Sequence, residues 1–292
     1  MHTHRLLTFY PYFGGAILVE IAWYLVVRKR AYPWKEMLAS TVIFLLRLPT
    51  RLLLAPLVVA PVSYFVWSHR FFTVQLNTAW SILLLFLATE LAYYWSHRAG
   101  HEIRWMWASH VVHHTPEQIH FASAYRLGPT EVLSGGWLLH LPLFALGFHP
   151  LAVGGMLGMN LFYQFWLHTD LIGRLGPLEW VLNTPSHHRV HHASNTEYLD
   201  RNYGGILIIW DRLFGTFTPE RPQTPITYGL VHPIGSYNPI KVALHEWGAM
   251  ARDVRRARSW REKLRQLFGR PAESLANTLD CGKPALESAP SP

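Results

Sequence analysis

Eight histidines fall into three short patterns, His97-x-x-x-His101, His110-x-x-His113-His114 and His188-x-x-His191-His192, and His168 stands alone between the second and the third. With His187 counted, the 24 positions 97–114 and 187–192 hold nine of the chain's 18 histidines. Histidines at i and i+4, or at i, i+3 and i+4, project from one face of a helix. Each box can therefore aim its imidazoles at a common point without strained backbone, and the boxes are predicted to be helical. Neutral imidazole takes iron, zinc, copper or nickel, so ligand type does not choose the metal. A mononuclear site uses about four to six protein ligands. Nine imidazoles point instead to two ions, each with a place left for oxygen or water. A single HxxxH is more often an incidental pair, but three boxes on one side of a membrane call for metal chemistry. On a helix His187 would point roughly 100° away from His188 and is read as structural. His2, His4, His69, His120, His140, His149, His232 and His245 lack ligand spacing and are read the same way.

The surroundings of those boxes are apolar. The 292 residues are 50% hydrophobic and 15% charged, with 13 Trp, 13 Tyr and 15 Phe, too apolar for a typical soluble domain. The one cysteine, Cys281, excludes an intramolecular disulfide and cysteine-based metal motifs, so any metal is held by nitrogen and oxygen. The net charge of +8 comes from basic residues near predicted membrane edges and in the C-terminal 40 positions. With no nucleic-acid motif present, that charge implies an anionic lipid surface and no nucleic acid.

Residues 9–27 are long enough to cross a bilayer, lack a signal-peptide cleavage pattern, and end in Arg28-Lys29-Arg30, which is expected on the cytoplasmic side. In 36–67, Arg47 and Arg51 read as snorkelling anchors, with the first part at the interface and 52–67 crossing. Residues 77–95 make the clearest span, and that helix is predicted to run on into His97 and His101. Two shorter apolar helices, 132–147 and 150–168, form a hairpin whose first arm is short enough to be re-entrant. Parity from the basic triplet puts every clustered histidine on the cytoplasmic side. The expected fold is all-α, an integral, multi-pass membrane helical bundle with a cytosolic His-rich helical cap holding a dinuclear metal site. Its parts are N-terminal transmembrane helices in 1–95, a catalytic region in 96–218 that includes the hairpin 132–168, a C-terminal region 219–270, and a disordered tail in 271–292. From Pro239 to Phe268 the C-terminal region reads as one basic amphipathic helix lying on the membrane surface.

Metal-bound imidazoles usually donate their second N–H to a carboxylate or carbonyl. Glu102, directly after His101, is the leading candidate for that role, with Asp170, Asn195 and Asp200 near the other boxes. Trp105, Trp107, Phe165 and Trp166 are candidate walls of an apolar tunnel, packing being their ordinary alternative. The chain has no flavin or nicotinamide loop, and the pairs His149-Pro150 and His232-Pro233 lack the flanking glycines of a cytochrome b5 haem motif. Electrons must come from a separate donor or reductase.

From about Leu87 to Thr218 the words HRAGHE (97–102), HVVHHTPE (110–117), QFWLHT (164–169) and LNTPSHHRVHH (182–192) follow in order. In these the chain resembles the fatty acid hydroxylase and sterol desaturase superfamily of membrane histidine-box enzymes. The resemblance implies a non-haem di-iron centre of two Fe2+ ions that activates O2 to hydroxylate a C–H bond of a fatty acyl, sterol or ether lipid. Desaturation is the alternative outcome, since ligand spacing does not decide between them. The implied ligands are His97, His101, His110, His113, His114, His168, His188, His191 and His192. Some relatives carry a further histidine where this chain has Gln164, so no tenth ligand is carried over. Residues 182–217 are most similar to the branch that includes alkylglycerol monooxygenase, which implies ether-lipid cleavage with an external reduced pterin, or else an electron-transfer protein, as donor. Members of unknown substrate share the same words, so the substrate stays open. A metal transporter would need ionisable residues along an ion path inside its spans, whereas here Glu20 is the main intramembrane acid.

Overall fold

The computed structural model describes residues 10–271. His2, His4, the predicted tail beyond Pro271 and its Cys281 lie outside them. The first apolar run forms helix α1 (Tyr10–Val26), 17 residues at the lower end of the length a bilayer needs. Glu20, read above as an intramembrane acid, is buried and accepts hydrogen bonds from Tyr32 Oη at 3.0 Å, Phe121 N at 2.9 Å and Thr169 Oγ1 at 2.8 Å. It fastens α1 to the segment just after His168.

Helices α2 (Trp34–Leu54) and α3 (Ala60–Ser68) form one nearly continuous rod, joined by a π-helical turn at Ala55–Val59. Pro56 and Pro61 lack an N–H, and the wider turn absorbs the missing i to i−4 bonds. Trp34–Ser68 is the one helix among the described residues long and apolar enough to cross a membrane. Only 11% of its apolar window is buried, so Leu38, Leu45, Leu52, Leu57 and Phe65 face outward instead of filling a core. Arg47 is not a snorkelling anchor: it is buried, and its Nε donates to Glu131 at 2.7 Å.

Helix α4 (Ala79–Glu102) starts at a capping box in which Thr78 and Ser81 satisfy each other's backbone N–H groups, and it runs unbroken through His97 and His101 as expected. After the single residue Ile103 the chain re-enters helix as α5 (Arg104–His114). The predicted helix 132–147 is instead a chain of short turns, α6 (Glu131–Ser134), a 3-10 turn at Gly136–His140 and α7 (Leu141–Ala145). Gly135, at φ 83°, makes the left-handed break that an apolar-run reading does not register. Helix α8 (Pro150–Gln164) continues through a 3-10 turn, Phe165–Leu167, to His168. Three helices complete the site side of the molecule: α9 (Pro185–His191), α10 (Ile209–Leu213) and α11 (Pro239–Arg256), with α12 (Trp260–Phe268) last. The described residues contain no strand, only the isolated bridges Leu182–Leu207 and Ala193–Tyr228.

Two apolar clusters hold these helices. Ile43, Trp107, Val111, Val112 and Val242 join α2, α5 and α11, and Leu85, Phe144, Phe148 and Val153 join α4, α7 and α8. The predicted single helix 239–268 is two helices, because Ser259 caps a new start by accepting from Glu262 N. Helix α11 packs on α5 and α2, and buried Arg104 ties it down through Glu246 and Asp253, each at 2.7 Å, and reaches α12 through Gln266 at 2.9 Å. Helix α12 leaves its apolar residues Trp260, Leu264 and Phe268 exposed, as α11 does Ile240 and Leu244.

Candidate metal centre

All nine predicted ligands come together, and they sort into two groups. His97, His101, His110, His114 and His191 form one; His113, His168, His188 and His192 form the other. Within each group the candidate ligand nitrogens lie within 4.8 Å of one another. The boxes do not map one to one onto the groups, as a common point for each box would require. On α5, His110 and His114 are one helical turn apart and share the first group, while His113 turns to the second. On α9 the pattern mirrors this: His188 and His192 share the second group, and His191 crosses to the first. An HxxHH box thus serves two centres, with the i,i+4 pair on one side and the i+3 residue on the other. The groups abut, the rings of His114 and His192 stacking at 4.5 Å.

Backbone carbonyls fix the rings. Nδ1 of His97 lies 2.8 Å from Tyr203 O, that of His168 2.8 Å from Gln164 O, that of His191 2.9 Å from Arg201 O and that of His113 3.3 Å from Arg126 O. A proton on Nδ1 leaves the Nε2 lone pair free, the tautomer a metal needs. Nε2 atoms meet in the interior: His97 to His110 at 3.0 Å, His188 to His168 at 2.9 Å, His192 to His188 at 3.1 Å. Nε2 of His101 and of His191 is buried with no hydrogen-bond partner at all. Buried polar atoms without partners are costly; a cation at the first focus would satisfy both, and the second group offers four buried imidazoles gathered as closely. The residues present therefore fit two metal ions. Electrostatics agree, since burial first, and then repulsion by His101, pushes the His97 imidazole down to about 3. Burial drives His110, His114 and His191 well below the ordinary value too. Neutral imidazole is the form that binds metal.

Of the carboxylates singled out by sequence, Glu102 accepts from Arg98 at 3.0 Å and Arg270 at 3.4 Å, and Asp170 from Tyr228. The acid facing a ligand is Asp200, 3.5 Å from His101 Nδ1. His187 stays outside both groups, 3.9 Å from Glu179.

Residues 82–216 match the sequence pattern of the Fatty acid hydroxylase family. They form a fatty acid hydroxylase domain. Human alkylglycerol monooxygenase is 44% identical to this chain over 182 residues, 62% of this chain and 40% of the relative. Ornithine lipid hydroxylase OlsE of Rhizobium tropici is 32% identical over 58% of this chain and 52% of its own length, and Delta(7)-sterol 5(6)-desaturase erg3B of Aspergillus fumigatus 32% identical over 48% and 39%. The chain thus spans about two fifths of the alkylglycerol monooxygenase it matches. No solved structure is significantly similar to it.

The fatty acid hydroxylase domain contains the scaffold for its own candidate ligands. The motif after the third box, 198–205, places Asp200 and Asn202 in the left-handed region at φ 59° and 58°. Asn202 donates to His187 O at 3.0 Å and Thr218 O at 2.7 Å and accepts from Thr218 N at 2.9 Å. Asp211 accepts from Tyr203 N and Gly204 N, both at 2.7 Å. These bonds hold the carbonyls of Arg201 and Tyr203 against His191 and His97. Inside the predicted span 77–95, Glu90 is a second buried acid that the sequence reading passed over. It accepts from Ile206 N at 2.8 Å, Leu207 N at 3.1 Å and the Asn160 amide. Gly205 lets the loop approach so closely: a Cβ there would stand 2.0 Å from Asn160 Nδ2. Gln164 is occupied by Tyr93 at 2.9 Å and by Asn160, so the domain holds no tenth imidazole at that position.

The domain also opens in two directions. A chamber of about 600 Å³ reaches His97, His110 and His113 and is walled by residues including Tyr64, Tyr93, Phe144, Leu151 and Leu161. On another side a small cleft reaches His101, His114 and His191 past Asp200 and Gly229. None of the four aromatic candidates lines the chamber. Trp107 lies in the core and borders the cleft, Phe165 stacks on Phe121, Trp166 packs on Tyr163, and Trp105 packs on Trp247.

Proposed function

We propose that the chain is an integral-membrane non-haem di-iron oxygenase that uses O2 and external electrons to hydroxylate a C–H bond of a lipid. The observation that carries this reading is the convergence of nine imidazoles, four of them held at Nδ1 by backbone carbonyls, on the end of an apolar chamber large enough for an alkyl chain. Bound iron would supply the oxygen activation that an unactivated methylene requires. The protein's part is positional. His97, His101, His110, His114 and His191 hold one ion, and His113, His168, His188 and His192 the other. Tyr93, Met106, Phe144 and Leu161 give the chamber dry walls that orient the chain and exclude water. Ser96 and Ser109, beside ligands, make the chamber's metal end its more polar end. A lipid would therefore present head-proximal carbons to the centre, which accords with the ether-lipid chemistry named for alkylglycerol monooxygenase.

The electron donor is a separate reductase, an electron-transfer protein or a reduced pterin, and the cleft at His101 and Asp200 is the approach that the substrate chamber leaves free. The metal site lies on the cytoplasmic side, Trp34–Ser68 crosses, and the other apolar helices embed around it. Lipid profiling of cells with and without the protein, paired with His191→Ala, tests the reading. A lipid that accumulates on deletion and on the point substitution alike supports it; an unchanged lipidome with a fully metallated protein sinks it. The sterol desaturase among the relatives sustains desaturation as a second outcome, and a new hydroxyl or a new double bond in the product separates the two.

A further inference from the structure

This inference rests on the lipid-oxygenase reading and narrows its substrate. Arg51, Ala55, Val59 and Ser63 recur at four-residue intervals along the α2–α3 rod and all border the chamber, so one helical stripe forms its wall. Below Arg51 that stripe is small or apolar; Arg51 alone is cationic. The rod places Arg51 17 residues before Ser68, which at the helical rise is roughly 26 Å. A hydrocarbon core is about 30 Å thick. With His69 and Arg70 at one boundary, Arg51 lies at the level of the other, where lipid headgroups sit.

The neighbouring acid, Glu131, offsets Arg51 only in part, because Arg47 shares it. Arg47 engages Glu131 through both Nε and Nη2, and no other ion pair to Glu131 exists among the described residues. Arg51 itself has no hydrogen-bond or ion-pair partner among them. Two arginines therefore face one carboxylate at the rim of a chamber whose remaining wall is mostly apolar. A planar guanidinium in such a place can hold two oxygens of a phosphate bidentately.

We propose that Arg51 binds the phosphate headgroup of a single-chain lipid whose tail fills the chamber below it. The same chemistry would also attract free phosphate, and the two sources are separable. The purified, metal-loaded protein in a neutral detergent is titrated with hexadecyl phosphate, with hexadecanol and with inorganic phosphate alone, following thermal stability and competition. Hexadecyl phosphate is expected to bind at least about tenfold more tightly than hexadecanol. Arg51→Gln should abolish that preference, while Arg70→Gln, at the far end of the rod, should keep it. Equal binding of the two amphiphiles, or a preference that survives Arg51→Gln, overturns the proposal. So does inorganic phosphate that binds as tightly as its hexadecyl ester. Charge-independent oxidation of lipids would remove the headgroup site and leave the oxygenase reading standing. Charge-selective binding without oxidation of any lipid would do the reverse.

Discussion

A histidine declares its chemistry by identity, and the i+3 position in an HxxHH box decides which of two foci it serves. The unequal division, five nitrogens against four, has a measurable consequence. Removing one ligand from the larger group leaves four, whereas removing one from the smaller leaves three. His110→Ala is expected to retain close to two ions per chain and His188→Ala roughly one, read by elemental analysis after dialysis. Equal losses would mean that the groups do not bind independently. The acceptors of the Nδ1 protons were not legible in the sequence, because they are carbonyls of Tyr203, Arg126, Arg201 and Gln164, and every residue owns a carbonyl. Their placement depends on a backbone path that Asn202 secures with three buried hydrogen bonds. Asn202→Ala should cost about 2–4 kcal/mol in chemical denaturation, since it strands those partners and replaces a residue that tolerates left-handed backbone with one that does so less readily. It should also weaken metal retention, a loss that a purely surface asparagine would not produce.

Elements were readable where apolar runs were long and lost where the chain breaks. Helix α4 follows directly from its capping Thr78 and the run that ends at His101. The stretch 132–147 deceived because hydropathy averages across Gly135, and 239–268 because its periodicity carries through Ala257. In the latter case the Ser259-x-x-Glu262 capping box was a visible signal. Glu90 shows a further limit, since a lone acid in an apolar run gives no hint of the loop it will hold. It joins α4, α8 and residues 206–207, so Glu90→Ala should destabilise by about 3 kcal/mol or more. Glu90→Gln, which keeps an acceptor for the two backbone N–H groups, should lose less. Comparing the two by denaturant-induced unfolding checks the assignment; identical losses would mean that the bonds to Ile206 and Leu207 contribute nothing.

At the scale of the molecule, the candidate ligands arrive from α4 and α5, consecutive but for Ile103, and from the end of α8 and α9, which loops bring to them. Spacing singled out eight of these imidazoles and the resemblance added His168, but neither showed how four elements would share them, which is a property of packing. Such a cluster of buried, unprotonated rings is an unfavourable core without cations. Stripping the metal with a chelator should lower the melting temperature by about 5 °C or more, and adding ferrous iron should restore it. An unchanged transition would argue that the imidazoles satisfy one another.

Arg126 joins the two halves of this arrangement. Its carbonyl faces His113, and its guanidinium reaches Ser40 Oγ and Glu36 O, both at 2.9 Å, on the rod that begins at Trp34. A rod that crosses a bilayer adjusts its inclination to acyl length. Through one arginine, membrane thickness becomes an input to the orientation of the His113 ring, and turnover in nanodiscs of short, medium and long acyl chains should peak at one of them.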